Sequence, residues 1–160
     1  MIRLLCLFGL LLGLLSHTAS AEPARESLRL WHTAPVPALP EPFSSAKKPW
    51  IIREQPIAFD AHTIEILKDA GARPSPSIVV DLFEKIHAEI EITSTVSRIN
   101  DSATIRGLLK PPTKGDFTLI INGNVVVGTF QIGHRLFKVE HVVNGHQRLI
   151  EVDPAKLPPD

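Results

Sequence analysis

Beyond residue 21 the chain has six histidines, His32, His62, His87, His134, His141 and His146, and the last two flank Asn144-Gly145 in a β-rich stretch. Asn-Gly is the strongest short-range signal for a two-residue hairpin, because both turn positions need positive φ. Such a turn puts His141 and His146 on one face with Val143 and Arg148, where two imidazoles on neighbouring strands could hold a metal. Zinc takes three or four protein ligands, and no carboxylate or third histidine stands ready to complete this pair. Surface histidines are therefore the expectation. Nucleophilic catalysis has no better footing: Ser44, Ser45, Ser75, Ser77, Ser94, Ser97 and Ser102 are present, but none lies in a Gly-x-Ser-x-Gly elbow. There is no phosphate-cradling glycine loop and no HExxH helix. Glu84, Glu89 and Glu91 cluster, yet the last two fall on the polar side of an alternating strand, where charge is ordinary. The expectation is a chain that is not an enzyme and binds no cofactor.

The elements that would position these residues begin with an export signal. Arg3 is followed by the apolar run Leu4 to Leu15, and Ala19-Ser20-Ala21 gives the small-x-small pattern of signal-peptidase sites, with cleavage after Ala21. The run is shorter than the roughly 20 residues needed to span a bilayer. Cys6 is too early, and too poorly flanked, for a lipoprotein site. A secreted or periplasmic protein with no stable membrane anchor is expected. Cys6 is also the only cysteine, so residues 22–160 can form no disulfide and no cysteine-ligated zinc site. Loss of Arg3 leaves 16 basic against 17 acidic residues, a net charge of −1, which argues against nucleic acid or anionic membrane as partner.

Residues 22–54 read as a proline-rich extended linker carrying Pro23, Pro35, Pro37, Pro40, Pro42 and Pro49, since proline fixes φ and donates no hydrogen bond. Within it, Leu28, Leu30 and Trp31 could form a short strand or pack on the domain surface. Residues 55–160 read as one β-rich domain. A short helix over 62–70 is expected, with Asp60 as N-cap and Gly71 as the residue that ends it. Strands are expected at 78–83 and, after a turn at Glu84-Lys85, in a long run where Ala88, Ile90, Ile92 and Val96 face one way. Another strand spans 103–109.

The carboxy-terminal third predicts its own register. With two-residue turns at Asn122-Gly123, Ile132-Gly133 and Asn144-Gly145, Leu119 faces Val126, Val126 faces Val139, and Val139 faces Ile150. Likewise Phe117 faces Gly128, Gly128 faces Phe137, Phe137 faces Val152, and Lys138 faces Glu151 on the other side. Phe117, Leu119, Val126, Gly128, Phe137, Val139, Ile150 and Val152 then form one apolar face, with bare Gly128 lying between two phenyl rings. The fold class expected is mainly β (α+β): an antiparallel meander, sandwich-like, packed on a second sheet or on the short helix.

The runs Ile78 to Phe83, Ile105-Arg106-Gly107-Leu108, Phe117-Thr118-Leu119, Asn122-Gly123-Asn124-Val125, Val127-Gly128-Thr129, Gly133 to Val139 and Gly145 to Asp153 resemble the propeptide domain of secreted reprolysin/adamalysin-like zinc metallopeptidases. The resemblance covers about residues 55 to 157. It implies a non-catalytic domain that binds such a peptidase and keeps it latent, the only zinc being the partner's. The alternative from the residues themselves is a periplasmic or extracellular β-sandwich adhesion or binding module with an unrelated ligand. Two features depart from the family: no HExxHxxGxxH helix is present, and the cysteine that silences zinc in many such propeptides has no counterpart. A carboxylate could replace that thiolate, and Asp153 and Asp160 stand in the right region. The plainer expectation is that Asp153 ends a strand and Asp160 belongs to a loose terminus.

Overall fold

A computed structural model describes residues 27–35, 48–69, 77–83, 86–142 and 145–158. The leader with Ala19 and Ala21, the helix-ending Gly71, the Glu84-Lys85 turn and Asp160 lie outside the described residues. The strands are β1 (Leu28–Arg29), β2 (Trp31–Thr33), β3 (Ile51–Phe59), β4 (Ile78–Asp81), β5 (His87–Arg98), β6 (Ser102–Leu109), β7 (Gly115–Asn122), β8 (Val125–Ile132), β9 (Arg135–His141) and β10 (Gln147–Val152). A single α-helix, α1 (Ala61–Lys68), and a 3-10 turn at Pro154–Lys156 complete the described elements. The protein is mainly β, with the expected meander running from β4 to β10.

The sheet order is β1-β4-β5-β6-β7-β8-β9-β10-β3-β2. Its two outermost strands are neighbours in the chain, separated only by Leu30. One segment therefore pairs in parallel with β4 and antiparallel with β3, so the sheet nearly closes into a barrel instead of facing a second sheet. Leu30 N–H donates to Val79 O at 3.0 Å, and Ala34 N–H to Pro56 O at 3.0 Å. The stretch read as a linker thus supplies β1, β2 and the first residues of β3. Barrels of about eight strands are just wide enough for side chains to fill. Here Trp31, from the closing segment, meets Phe130 edge-on at 5.5 Å, and Phe130 stacks on Phe117 at 5.6 Å. Trp31, Phe117, Phe130 and Phe137 are all buried.

Helix α1 starts where Asp60 accepts from Thr63 N–H at 2.8 Å. Its Ile64 and Leu67 turn inward, and Ser97 Oγ donates to the Lys68 carbonyl at 2.5 Å, tying the last turn to β5.

Register departs from the sequence expectation in two distinct ways. At the β7–β8 and β8–β9 turns the two loop residues are Gly123-Asn124 and Gly133-His134, one position later than expected. Gly123 has φ +56° and Gly133 φ +57°, while the residues after them are not positive. Glycine first, alone with positive φ, is the type II′ pattern; the type I′ pattern expected would need both. Moving each loop by one residue slides the pairing by two, which keeps every side chain on its face. Leu119 therefore faces Gly128, Ile121 faces Val126, Phe117 faces Phe130, and Gly128 faces Val139.

The β9–β10 turn errs by an odd step. Val142 N–H donates to His146 O at 2.8 Å, so three residues, ending in Gly145 at φ +78°, separate the pair. Val139 now faces Leu149, Lys138 faces Ile150, and Phe137 faces Glu151. Ile150 and Val152, expected inside the meander face, instead lie on the outside of the sheet. They are still buried, in a small outer cluster with Ile51, against which Trp50, Leu136 and Leu157 pack. A second correction concerns β5, where a bulge between Ile92 and Ser94 exchanges the faces. Thr95 points toward Ile105, and Val96, expected with the apolar set, is half-exposed.

Glycine does relieve an aromatic in this sheet, at a different position. Gly107 faces Phe117, and a Cβ there would lie 2.6 Å from Phe117 Cε1. At Gly128 the neighbour is Leu119, whose Cδ2 would be 2.6 Å from an added Cβ.

Candidate functional site

The odd slip of β10 puts a carboxylate where the sequence pattern expects an aliphatic side chain. Glu151 follows Gln147 and Leu149 on the inward face, its side chain only 7% exposed. A carboxylate so placed must be paired. Arg53 on β3, directly opposite in register, donates from Nε to Glu151 Oε2 at 2.6 Å. Arg135, the first residue of β9, donates from Nε to Oε1 at 2.7 Å.

Each guanidinium also lies on a phenyl ring. Arg53 sits 4.3 Å from the Phe83 centroid and Arg135 4.9 Å from that of Phe137, the two rings being 6.2 Å apart. Phe83 follows β4 in a bend closed by Leu82 N–H to Ile86 O at 2.8 Å, and its φ is +62°. A bulky non-glycine residue in the left-handed region costs on the order of 1–2 kcal/mol, so the surrounding packing must hold it there. The result is an Arg-Glu-Arg bridge across β3, β10 and β9 at one end of the barrel, with two aromatic rings beneath.

Burial pushes the Glu151 carboxyl up, but the hydrogen bonds and charges of Arg135 and Arg53 outweigh that and hold it below the usual glutamate range. Guanidinium does not deprotonate in proteins. The bridge is therefore suited to holding an anion and not to moving a proton. Both arginine side chains remain about two-fifths exposed, at 44% and 42%.

Among protein-family models, curated proteins and solved structures, none matches this chain.

The residues singled out in the sequence are scattered. His141 alternates with Phe137 and Val139 and so faces inward, its buried Nδ1 having no hydrogen-bond partner among the described residues. His146 lies beyond the strand and is exposed, so the pair does not share a face as a two-residue turn required. Among the described residues no three His, Cys, Asp or Glu side chains are grouped to hold a metal. Asp153 caps the 3-10 turn, accepting from Ala155 N–H at 3.1 Å and pairing with Lys156 Nζ at 3.1 Å. These bonds, that from Lys156 foremost, lower its pKa.

Glu89 accepts from Lys110 Nζ at 2.6 Å, which with a Ser77 hydrogen bond lowers its pKa. His87 Nδ1 lies 2.6 Å from Asp81 Oδ1, while Arg29 Nη1 donates to Oδ2 at 2.8 Å. An aspartate-oriented histidine is half of an acid–base pair, but among the described residues no hydroxyl is hydrogen-bonded to His87. No described helix is long and apolar enough to cross a membrane.

Sequence reasoning missed Arg53, Phe83, Arg135 and Glu151. The available signal was Glu151 itself, because a three-residue turn ending in Gly145 places that glutamate in the apolar row and demands cations nearby.

Proposed function

We propose that the chain is an exported, non-catalytic binding domain that docks on a protein partner through its outside. The partner proposed is a reprolysin-type zinc metallopeptidase, held latent while the domain is bound. The observation that carries the reading is the filling of the barrel: Trp31, Phe117, Phe130 and Phe137 occupy the space where a small-molecule binder of this architecture holds its ligand. Work is thereby left to the surface. The choice of partner rests on the resemblance of residues 55 to 157 to peptidase propeptides.

Residues 22–160, purified without the leader, should inhibit such a peptidase stoichiometrically when titrated against it. Full peptidase activity at micromolar domain would remove the latency reading. Co-purification of a carbohydrate or a structural protein, together with indifference to peptidases, would favour an adhesion module instead.

A further inference from the structure

We propose that Arg53 and Arg135 form a binding site for a single carboxylate at the end of the barrel. Each guanidinium spends only its Nε on Glu151. Among the described residues, neither arginine's Nη groups form a hydrogen bond or an ion pair. Among the described residues the cluster carries two positive charges, Arg53 and Arg135, against the one negative charge of Glu151, an excess of one. A carboxylate monoanion balances that excess, whereas a phosphate dianion overshoots it.

The two forks are also fixed in advance. Glu151 ties both at Nε, and Phe83 and Phe137 support them from below. Long side chains normally lose rotamer freedom when they bind a ligand, and fixing them beforehand removes much of that cost. The left-handed conformation of Phe83 sets its ring under Arg53 and against Phe137 at the edge of the core. Backbone strain of this kind gathers at ligand clamps. A planar carboxylate matches the guanidinium fork and can take two parallel hydrogen bonds from it.

This inference deepens the docking reading and rests on it for the origin of the ligand: an aspartate, a glutamate or a chain terminus of the partner. A free carboxylic acid offers the same chemistry. The two are separated by side-chain ¹⁵N spectra of the leaderless chain, titrated with acetate, with a short peptide acid and with the same peptide amidated. The arginine Nε–H signals of Arg53 and Arg135 should shift saturably with acetate and with the peptide acid, and stay still with the amide. Saturation by acetate alone would support a site for small acids and overturn the peptide ligand.

Arg53→Lys and Arg135→Lys keep a cation beside Glu151 and remove the fork; either should weaken peptide-acid binding at least tenfold. Shifts that merely track ionic strength, or that exposed Arg106 shares equally, would overturn the site. Should both variants fail to fold, carboxylate protection of the wild-type arginines from phenylglyoxal decides the matter, and equal modification with and without carboxylate overturns it. A peptidase bound equally well by wild type and both lysine variants would sink this site and leave the docking reading standing.

Discussion

Arg53 and Glu151, 98 positions apart, meet at 2.6 Å and join β3 to β10 at the end of the barrel. The bond exists because the β9–β10 turn has three residues between its hydrogen-bonded pair. One residue fewer would turn Glu151 to the outside beside Lys138. The same odd step that expels Ile150 and Val152 from the inner face therefore creates the arginine bridge.

Glu151→Gln keeps the shape and removes the charge that holds both arginines. Breaking a buried ion pair costs 3–5 kcal/mol, and since both arginines are partly solvated a loss of about 2 kcal/mol is expected here. The carboxyl is held below its unfolded pKa of about 4.3. Its stabilisation is thus present above that pH and lost as pH falls through the folded value. Urea midpoints from pH 7 to pH 3 should show wild type and E151Q converging at low pH. A gap independent of pH would contradict the charge assignment.

Gly107→Ala should destabilise by about 3 kcal/mol, because the new methyl meets the Glu91 carbonyl and the Phe117 ring together. Backbone on one side and a packed aromatic on the other leave no cheap adjustment. Gly133→Ala meets nothing within 4 Å, and its cost comes from φ +57° alone. Chemical denaturation of both variants should rank Gly107→Ala well below Gly133→Ala.

Trp31→Ala removes the side chain that fills the barrel from its closing segment, and with it the hydrogen bond from Nε1 to Asp81 O at 3.1 Å. Large-to-small changes at such positions cost about 3–5 kcal/mol. If the segment were only a tethered linker, the cost would fall below about 0.5 kcal/mol, the usual range for surface changes. Thermal unfolding followed by circular dichroism separates the two.

Leu157→Ala should loosen the outer cluster of Ile51, Ile150 and Val152 without touching the barrel interior, at a cost of about 1 kcal/mol. Hydrogen exchange should rise at Asp153 N–H, which donates to Trp50 O at 2.8 Å, while the Leu119 amide stays as protected as before.

The sequence was most legible where alternation alone decides the outcome. Phe117, Leu119, Val126, Phe137 and Val139 all lie buried on the inner face, because shifts of two residues at the Gly123 and Gly133 turns cannot change which face a residue takes. Their individual partners were not legible, since Asn122-Gly123 can place its loop residues in either of two frames and the choice lies in φ at the position after glycine. Ile150 and Glu151 exchange faces between pattern and structure for a stronger reason. Asn144-Gly145 can serve a two- or a three-residue loop, and those loops give opposite faces.

Thr93 gives no local sign that the strand bulges beside it, so strict alternation puts Val96 inward where the bulge turns it out. The closing segment was hidden by composition. Leu30 and Trp31 stand among prolines, and only contacts with residues about 50 positions away, such as Trp31 to Asp81, reveal them as core. The arginine bridge joins the β9–β10 hairpin to Arg53, 98 positions from Glu151, and that distant partner could not be read from spacing.

Residues 28–33 close the sheet and fill its interior, and the docking proposed for the outside rests on that closure. Native-state amide hydrogen exchange at Leu30, whose N–H donates to Val79 O, tests it most directly. Protection close to that of Leu119 in the middle of β7 is expected. Exchange of Leu30 at the rate of an unstructured peptide, with Leu119 still protected, would show an open sheet and contradict the account.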